Sequence, residues 1–450
     1  MKVHLIGTGG IGVSALARYY KHMDNEVQGS DIVGSEIIDK LESEGITVFV
    51  GPHSEERIKE DMDLVVFSAA INEENTERKK AQELGIKTKK YSDALGEIAK
   101  KYFTICIAGT HGKSTTTAML SFVLIEAGLD PTVIVGTKLK EFGDTNFHAG
   151  SSKPKAGFSK PLMLIEADEW NASFLSYEPD ILAITNIEEE HLDFYKDLDH
   201  IIDTYRQFTR NIRDAGTLIL NKNDSGSNLL LKEVQRGDIE TKFFADEEQG
   251  TQEEVKKALK VPGKHNLENA LTAMAVARTL SVPNDDILSG LSKYTGAWRR
   301  FDKKKLTIDG KEIILINDYA HHPTEIMATL EAVREGYSEK TVWTVFQPHQ
   351  QQRTKNLMKK FAGVFDLTDK LILTDIYEVA GREKEEVVVT SQDLLVEIEQ
   401  GWAKRGLPGK EISLVSDLKE ISELIKKDTK DGDVVLIMGA GDIWNINKFI

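Results

Sequence analysis

Three stretches of this chain alternate short apolar segments with helical patterns, and polar or glycine-rich turns lie between them. The first stretch starts at the N-terminus, the second near residue 103 and the third near residue 297. Strands that alternate with helices usually pair side by side in parallel sheets. The pattern therefore predicts an α/β fold with mainly parallel sheets, divided into three domains at residues 1–99, 100–296 and 297–450.

Composition and charge exclude several classes of protein. The 450 residues are 40% apolar, enough for more than one buried core, and the net charge of −16 argues against a nucleic-acid partner. The single cysteine, Cys106, cannot form an internal disulfide, which predicts a cytoplasmic location. The first residues lack a signal-peptide layout, and no apolar run approaches the roughly 18 residues that span a bilayer, so no membrane partner is expected.

The first turn, GTGGIG, follows an apolar segment at 2–6 and precedes a helical pattern at 11–22. A second predicted strand ends at Asp31, 19 residues after Gly12. This is the layout of a dinucleotide fold, in which free N–H groups bind a pyrophosphate and an acid holds a ribose hydroxyl. A purely structural turn is the alternative. Further parallel strands are predicted at 46–50 and 63–67, and helices within 72–101.

The second turn, GTHGKSTTT at 109–117, lies between an apolar strand at 103–108 and a helix that extends to about residue 126. Lys113 is placed to reach the phosphates of ATP, and Ser114 to offer a hydroxyl to Mg²⁺. The usual phosphate loop has a glycine five residues before Gly112, where this chain has Ile107. The loop is therefore shorter than usual, and the alternative is a coincidental Gly-Lys-Ser.

Two acidic motifs follow the next predicted strands, at 162–167 and 180–185. EADE contains Glu166, and TNIEEEHLD contains His191. Because the carboxyl ends of parallel strands meet at one edge, Lys113, Ser114, Glu166 and His191 are expected to lie together there. A solvated acidic face is the alternative. A further strand is predicted at 216–220, and the segment 140–160 as a mobile surface loop.

The remainder carries weaker signals. Asn266 and Asn269 lie on one face of a helix predicted over 265–280, where they would bind an adenine edge or cap the helix. Strands predicted at 312–317, 341–346, 369–374 and 433–437 form the third domain, and two of them end in the His-bearing segments NDYAHHP and FQPHQQQRT. These two ends predict a second ligand edge, and the spacing does not fit zinc. MGAGDI is interpreted as a structural turn.

Taken together, the motifs GTGGIG, GTHGKSTTT, EADE, TNIEEEHLD, PGKHNLENA, GAWRRFD, DYAHHPTEI, FQPHQQQRT and MGAGDI resemble those of the Mur ligases, the ATP-dependent peptide-bond-forming enzymes of peptidoglycan synthesis. They occur in family order over nearly the whole chain. The resemblance implies a Rossmann-like UDP-binding domain, a central P-loop-type ATPase domain and a C-terminal Rossmann-like domain. It also implies that the shorter loop is the family's own form.

The activity implied by the resemblance is ligation of L-alanine to UDP-N-acetylmuramate through an acyl phosphate, with ATP and Mg²⁺ (or Mn²⁺) as cofactors and a monomer or homodimer as the assembly. The catalytic residues would be Lys113, Glu166, His191 and Arg300, and the metal ligands Ser114, Glu166 and His191. The ATP site would comprise Gly109, Thr110, His111, Gly112, Lys113, Ser114, Thr115, Asn266, Asn269, Arg300 and Asp318. The UDP-sugar site would comprise Gly7, Gly9, Gly10, Ile11, Gly12, Asp31 and Ser68. The amino-acid site would comprise Tyr319, His321, His349 and Arg353.

Four positions depart from the family's usual residues or separate its branches. Asn171 and Glu190 stand where Asp is usual, and Gln350 stands where many members carry an Arg that holds the amino-acid carboxylate. Arg206 occupies the position of a carbamylated lysine in ligases for later amino acids, which favours the alanine-adding branch. The alternatives are a ligase that adds a tripeptide during wall recycling, a dehydrogenase suggested by GTGGIG alone, and a non-catalytic nucleotide-binding scaffold.

Overall fold

The protein is an α/β structure with three sheets. The computed structural model describes residues 1–191, 194–234, 236–244, 249–378, 389–407 and 409–450. The chain forms two compact units, the first made of Met1–Ala258 with Glu268–Tyr294 and the second of Leu259–Leu267 with Thr295–Ile450. The first unit contains two of the sheets and the second unit contains the third.

The first sheet has five parallel strands in the order β3-β2-β1-β4-β5. Its elements are β1 (Lys2–Ile6), α1 (Ile11–His22), β2 (Glu26–Asp31), α2 (Glu36–Ser43), β3 (Thr47–Val50), β4 (Leu64–Phe67), α3 (Thr76–Glu83), β5 (Lys87–Lys90) and α4 (Tyr91–Ala99). The strand order reverses at β1, so the turn after β1 opens at the switch point where such sheets bind ligands.

The second sheet has seven strands in the order β12-β11-β10-β6-β9-β7-β8, and only the β7–β8 pair is antiparallel. Its strands are β6 (Phe103–Ala108), β7 (Thr132–Leu139), β8 (Thr145–His148), β9 (Leu162–Glu166), β10 (Ile181–Ile184), β11 (Thr217–Asn221) and β12 (Glu240–Phe244). The helices of this region are α5 (Lys113–Glu126), α6 (Leu198–Arg210), α7 (Ser225–Glu233), α8 (Gln249–Ala258), α9 (Lys264–Thr279) and α10 (Asn284–Leu291). Strand β6 is central, between β10 and β9, so the polar ends of all three strands are neighbours.

The third sheet has six strands in the order β13-β14-β18-β15-β16-β17, antiparallel only at β13–β14. Its elements are β13 (Asp302–Ile308), β14 (Lys311–Asp318), α11 (Pro323–Gly336), β15 (Val342–Phe346), α12 (Gln351–Val364), β16 (Lys370–Leu373), α13 (Ser391–Lys404), β17 (Glu411–Leu414), α14 (Leu418–Asp428) and β18 (Val434–Met438). Apolar clusters cover both of its faces, one that includes residues of α11–α13 and one that includes residues of α14.

The predicted α/β class and the apolar strands named from the sequence are confirmed, whereas several edge strands and β7, which lies between β9 and β8, were missed. The segment 140–160 is not wholly a loop, because β8 lies within it and pairs with β7. Strand β5, KTKK, lies in a stretch that had been interpreted as helical. An edge strand has one neighbour and needs no continuous apolar run, so its sequence carries little signal. The domain boundaries at residues 99 and 296 stay a prediction.

Among the described residues, no helix is long and apolar enough to cross a membrane.

Candidate functional site

The GTHGKSTTT loop connects β6 to α5 and is held in place by the end of β10. Gly112 caps α5 with φ 84°, a left-handed conformation that favours glycine. No side chain caps this helix start, so its N–H groups are directed to any bound anion. The Thr110 N–H donates to the Asn186 carbonyl at 2.9 Å, and the His111 N–H donates to Asn186 Oδ1 at 2.9 Å. The loop therefore has the geometry of a preformed anion-binding turn.

Lys113, the first residue of α5, lies folded over this loop. Its Nζ donates to the Gly109 carbonyl at 2.7 Å and pairs with Glu169 Oε2 at 2.8 Å. Both side chains are almost completely buried, at 13% and 3% exposure. Burial by itself would lower the pKa of Lys113, but Glu169 and Asp168 outweigh it and the pKa is raised. The ammonium group is therefore charged at neutral pH, and it also donates to the Thr110 carbonyl at 3.1 Å.

Glu166 ends β9 beside the start of α5. The Ser114 hydroxyl donates to Glu166 Oε1 at 2.8 Å, and the Gly136 N–H donates to Oε2 at 2.5 Å. The structure therefore brings together Ser114 and Glu166, two of the three predicted metal ligands. Gly136, on strand β7, was not identified from the sequence because β7 itself was missed.

The third predicted ligand, His191, lies against Glu169. Its Nε2 is 3.4 Å from Glu169 Oε1, and Asp168, Glu169 and His191 offer ligand atoms within 4.8 Å of one another. Burial by itself would raise the pKa of Glu169, but Lys113 and His191 outweigh it and the pKa is lowered. A hydroxyl and carboxylate oxygens are donors that Mg²⁺ prefers, so Ser114, Glu166, Asp168 and Glu169 fit that ion, and the His191 imidazole is the less usual ligand of the set. Leu192 and Asp193, the end of the TNIEEEHLD motif, lie outside the described residues.

Glu169 is the functional candidate that sequence reasoning overlooked, although EADE contains it. It lies between Lys113 and His191, and the Tyr195 hydroxyl donates to its backbone carbonyl at 2.5 Å. The sequence signal for Glu169 was an acidic residue in a motif that ends a predicted strand. That signal is weak, because an acidic residue on a turn is exposed more often than buried.

The GTGGIG loop follows β1 and is held by the end of β2. The Gly7 and Thr8 N–H groups donate to the Ser30 carbonyl at 2.8 and 3.0 Å, and the Gly9 N–H donates to Asp31 Oδ2 at 2.8 Å. Asp31 therefore orders the loop itself, a contact that the sequence did not predict. Ser68, at the end of β4, packs against Gly7, since a Cβ added there would meet Ser68 Cβ at 3.0 Å.

In the second unit, the four residues predicted to bind the amino acid lie together. The rings of His321 and His349 are 5.7 Å apart, and those of Tyr319 and His321 are 5.3 Å apart. Arg353 Nη1 lies 2.9 Å from His349 Nδ1. Gln350 is buried and precedes the first residue of α12, and its φ of 67° is a left-handed conformation. This is the position at which the resemblance leads one to expect Arg. The two polar strand ends of this sheet thus form one cluster.

The remaining predicted residues lie as follows. Arg300 stacks over the Tyr319 ring at 4.7 Å, and Asp318 accepts from the Phe301 N–H at 2.8 Å. Asn269 Oδ1 lies 2.2 Å from where a Cβ on Gly112 would be, so Asn269 adjoins the phosphate loop. The Asn266 side chain donates to the Pro262 carbonyl at 2.6 Å, whereas an N-cap side chain would accept from a backbone N–H.

The turn MGAGDI is held by Arg299, and its interpretation as structural stays a prediction. Arg299 donates to the carbonyls of Gly439 and Gly441 at 2.6 and 2.9 Å. A short 3₁₀ helix over Ile443–Lys448 follows.

The chain belongs to the Mur ligase family. Family models match residues 2–103 ("Mur ligase family, catalytic domain"), 107–277 ("Mur ligase middle domain") and 299–441 ("Mur ligase, glutamate ligase domain"). Together these matches cover most of the chain, and each includes one of the loop clusters described above.

Its relatives narrow the class further. The chain is 38% identical to a UDP-N-acetylmuramate–L-alanine ligase of Acetivibrio thermocellus, covering 99% of this chain and 94% of that protein. It is 37% identical to the ligase of the same description from Caldanaerobacter subterraneus, covering 99% and 96%. Among solved structures, a UDP-N-acetylmuramate–alanine ligase of Thermotoga maritima superimposes with a TM-score of 0.78 at 27% identity, covering 100% and 98%. A murein peptide ligase of Psychrobacter arcticus, at 22% identity and TM-score 0.70, shares the fold.

Proposed function

We propose that this protein joins L-alanine to UDP-N-acetylmuramate with hydrolysis of ATP to ADP and phosphate, a cytoplasmic step of peptidoglycan precursor synthesis. The observation that carries the proposal is the cluster at the ends of β6 and β9, where Lys113, Ser114 and Glu166 adjoin one phosphate-binding loop. The full-length relatives at 37–38% identity support the same substrates.

The residues suit transfer of a phosphoryl group to a carboxylate. The N–H groups at the start of α5 would hold the phosphates of ATP, and Lys113 would bind the oxygens of the transferring group. Mg²⁺ would neutralise charge on the phosphates when bound by Ser114, Glu166 and His191. The lactyl carboxylate of the sugar substrate attacks the γ-phosphorus and ADP leaves, which gives an acyl phosphate. The uncharged amine of alanine then attacks the acyl carbon, and phosphate leaves from a tetrahedral intermediate.

Within this scheme Glu169 positions two groups. It contacts Lys113 and His191, and both contacts are shielded from water. Such preorganised charges stabilise a transition state more than mobile ones do, because they need no rearrangement as the reaction proceeds. Glu169 thus fixes the direction from which Lys113 reaches the phosphate.

The second unit would supply the amino-acid pocket. The cluster of Tyr319, His321, His349 and Arg353 carries one guanidinium, and Arg353 is the group suited to bind the alanine carboxylate.

Gln350 stands where many members have a second cation at this edge. We therefore expect the wild type to bind alanine more weakly than the Gln350→Arg variant does, with the same selection for small side chains in both. Titration of L-alanine in the phosphate-release assay measures this difference.

The test is phosphate release from Mg-ATP with UDP-N-acetylmuramate and each amino acid separately, with the L-alanyl tripeptide of wall recycling as a further acceptor. Release with L-alanine supports the proposal, and product mass identifies the new amide. Release only with the tripeptide would reassign the protein to the recycling class. No release with any amine, despite ATP binding, would favour a nucleotide-binding scaffold.

Gly136→Ala tests the position of Glu166. A Cβ at residue 136 would lie 2.5 Å from Glu166 Oε1, so the carboxylate must move away from Ser114. Because misplacement by about 1 Å can cost about 100-fold in rate, we expect kcat to fall about 10- to 100-fold and the Mg²⁺ requirement to rise.

Gly237→Ala is the matched control for this change. Nothing lies within 4 Å of a Cβ at Gly237, so its rate and Mg²⁺ dependence should match the wild type. A Gly136→Ala enzyme with the wild-type Mg²⁺ titration curve would show that Glu166 does not bind the metal.

A further inference from the structure

Tyr91 lies against the backbone of the GTGGIG loop. It is the first residue of α4, directly after β5. A Cβ built on Gly12 would lie 2.9 Å from Tyr91 Cζ and 3.1 Å from its hydroxyl oxygen. The phenol therefore occupies the space that a side chain at residue 12 would fill, at the end of the predicted diphosphate site.

Helix α4 is fixed to the segment that follows EADE. A Cβ on Gly96 would lie 2.2 Å from the Ser176 carbonyl oxygen, so the helix and the 3₁₀ segment Trp170–Ser176 are in close contact. The Ser176 hydroxyl donates to Asp93 Oδ1 at 2.7 Å. These contacts leave α4 little freedom to move, and they join the helix that begins at Tyr91 to the segment after EADE.

The surroundings of the phenol keep it protonated. The surrounding protein atoms and the carboxylates of Glu166 and Asp168 raise the pKa of Tyr91. Its side chain is partly exposed, and within the described part of the chain its hydroxyl makes no hydrogen bond to a protein atom. A neutral O–H donor next to carboxylates can bind an anionic oxygen without adding a charge that those carboxylates would compete for.

We propose that Tyr91 is a substrate-binding residue whose hydroxyl donates a hydrogen bond to the lactyl carboxylate of UDP-N-acetylmuramate. The inference rests on the proposed function. The diphosphate end of that substrate would lie on the GTGGIG loop, and its carboxylate must reach the phosphoryl group held beside Glu166. Tyr91 touches the first of these sites, and its helix packs against the segment that follows Glu166 in the chain, so it holds the carboxylate in position for phosphoryl transfer.

The experiment compares Tyr91→Phe with the wild type by calorimetric titration of UDP-N-acetylmuramate and, separately, of UDP. A hydrogen bond to a charged group corresponds to about 10- to 100-fold in affinity. We expect Kd for UDP-N-acetylmuramate to rise by about that factor while Kd for UDP stays constant. In turnover, KM for UDP-N-acetylmuramate should rise and kcat should fall, with KM for ATP unchanged. Equal weakening of both ligands would mean that the hydroxyl contacts the diphosphate, which overturns the assignment.

Tyr102→Phe is the matched control, because it removes a hydroxyl that lies 3.2 Å from the Tyr19 hydroxyl in the core. It should leave both Kd values unchanged. If the wild type binds UDP-N-acetylmuramate and Tyr91→Phe binds it equally well with the same melting temperature, the role of Tyr91 is overturned and the proposed function stands. If the wild type does not bind this sugar nucleotide, both the role of Tyr91 and the proposed function are overturned.

Discussion

Replacing Lys113 with methionine is expected to lower kcat for phosphate release about 1000-fold or more. Lys113 is the only lysine or arginine in the loop at 109–117, and its ammonium group would face the oxygens on which charge develops. Loss of one preorganised donor from such a site costs about 100- to 1000-fold, and loss of a full charge costs more. Single-turnover measurement at saturating ATP separates this effect from weaker binding.

The same substitution also leaves Glu169 buried without its cation, so folding must be measured with activity. Breaking a buried ion pair destabilises a protein by about 3–5 kcal/mol. The double variant Lys113→Met, Glu169→Gln removes both charges and should recover most of the melting temperature but none of the rate. Lys153→Met, which changes an exposed lysine of the same unit, is the control and should behave as the wild type. Recovery of activity in the double variant would show that Lys113 only neutralises Glu169.

Replacing Glu77 with glutamine is expected to produce the largest loss of stability in the first sheet. Glu77 is a residue of α3, and it is completely buried. It accepts hydrogen bonds from Ser30 Oγ at 2.5 Å and Arg57 Nη1 at 2.9 Å, and it lies 2.9 Å from His4 Nε2. An amide cannot accept from all of these donors, so we expect a loss of about 3–5 kcal/mol.

The pH dependence follows from the pKa of Glu77. Burial by itself would raise it, but the hydrogen bonds from His4 and Ser30 outweigh burial and lower the pKa to about 2. Because the folded pKa lies below the unfolded one, the carboxylate stabilises the fold fully above about pH 4.5, and this contribution, about 3 kcal/mol, is lost as the pH falls towards 2. The free energy of unfolding of the Glu77→Gln variant should therefore depend less on pH in this range than that of the wild type.

The measurement must report on this sheet directly. All five tryptophans lie after residue 169, so none lies on the sheet that contains Glu77's partners His4 and Ser30. Hydrogen exchange of peptides covering β1 and β2, at neutral and acidic pH, gives the local opening free energy. Glu83→Gln, on the same helix, removes an exposed carboxylate that is 3.6 Å from Lys80 and should change exchange little. Equal protection in Glu77→Gln and Glu83→Gln would show that the buried network adds no stability.

Local features determined much of the fold and of the phosphate loop from the sequence alone. An apolar strand before GTHGKSTTT and a helix after it place Lys113 and Ser114 at a helix start whatever the rest of the chain does. The expectation that neighbouring strand ends lie together followed from the rule that parallel strands present their carboxyl ends at one edge. This expectation made Glu166 and His191 candidates. These conclusions depend on residues close together in the chain, and the sequence displays such spacing directly.

Contacts between distant residues were decided only by the tertiary structure. The sequence shows Glu77 in a charged helix segment, TERKKAQE, yet the fold buries it against His4, 73 positions away. Gly136 meets Glu166 only because β7 pairs with β9, and Tyr91 reaches Gly12 only because α4 packs beside the first loop. Residue type and local period specify an element and its buried face, whereas strand order and helix packing select which distant side chains become neighbours. The loops of this protein are therefore determined locally, and the partners that position them are determined by the fold.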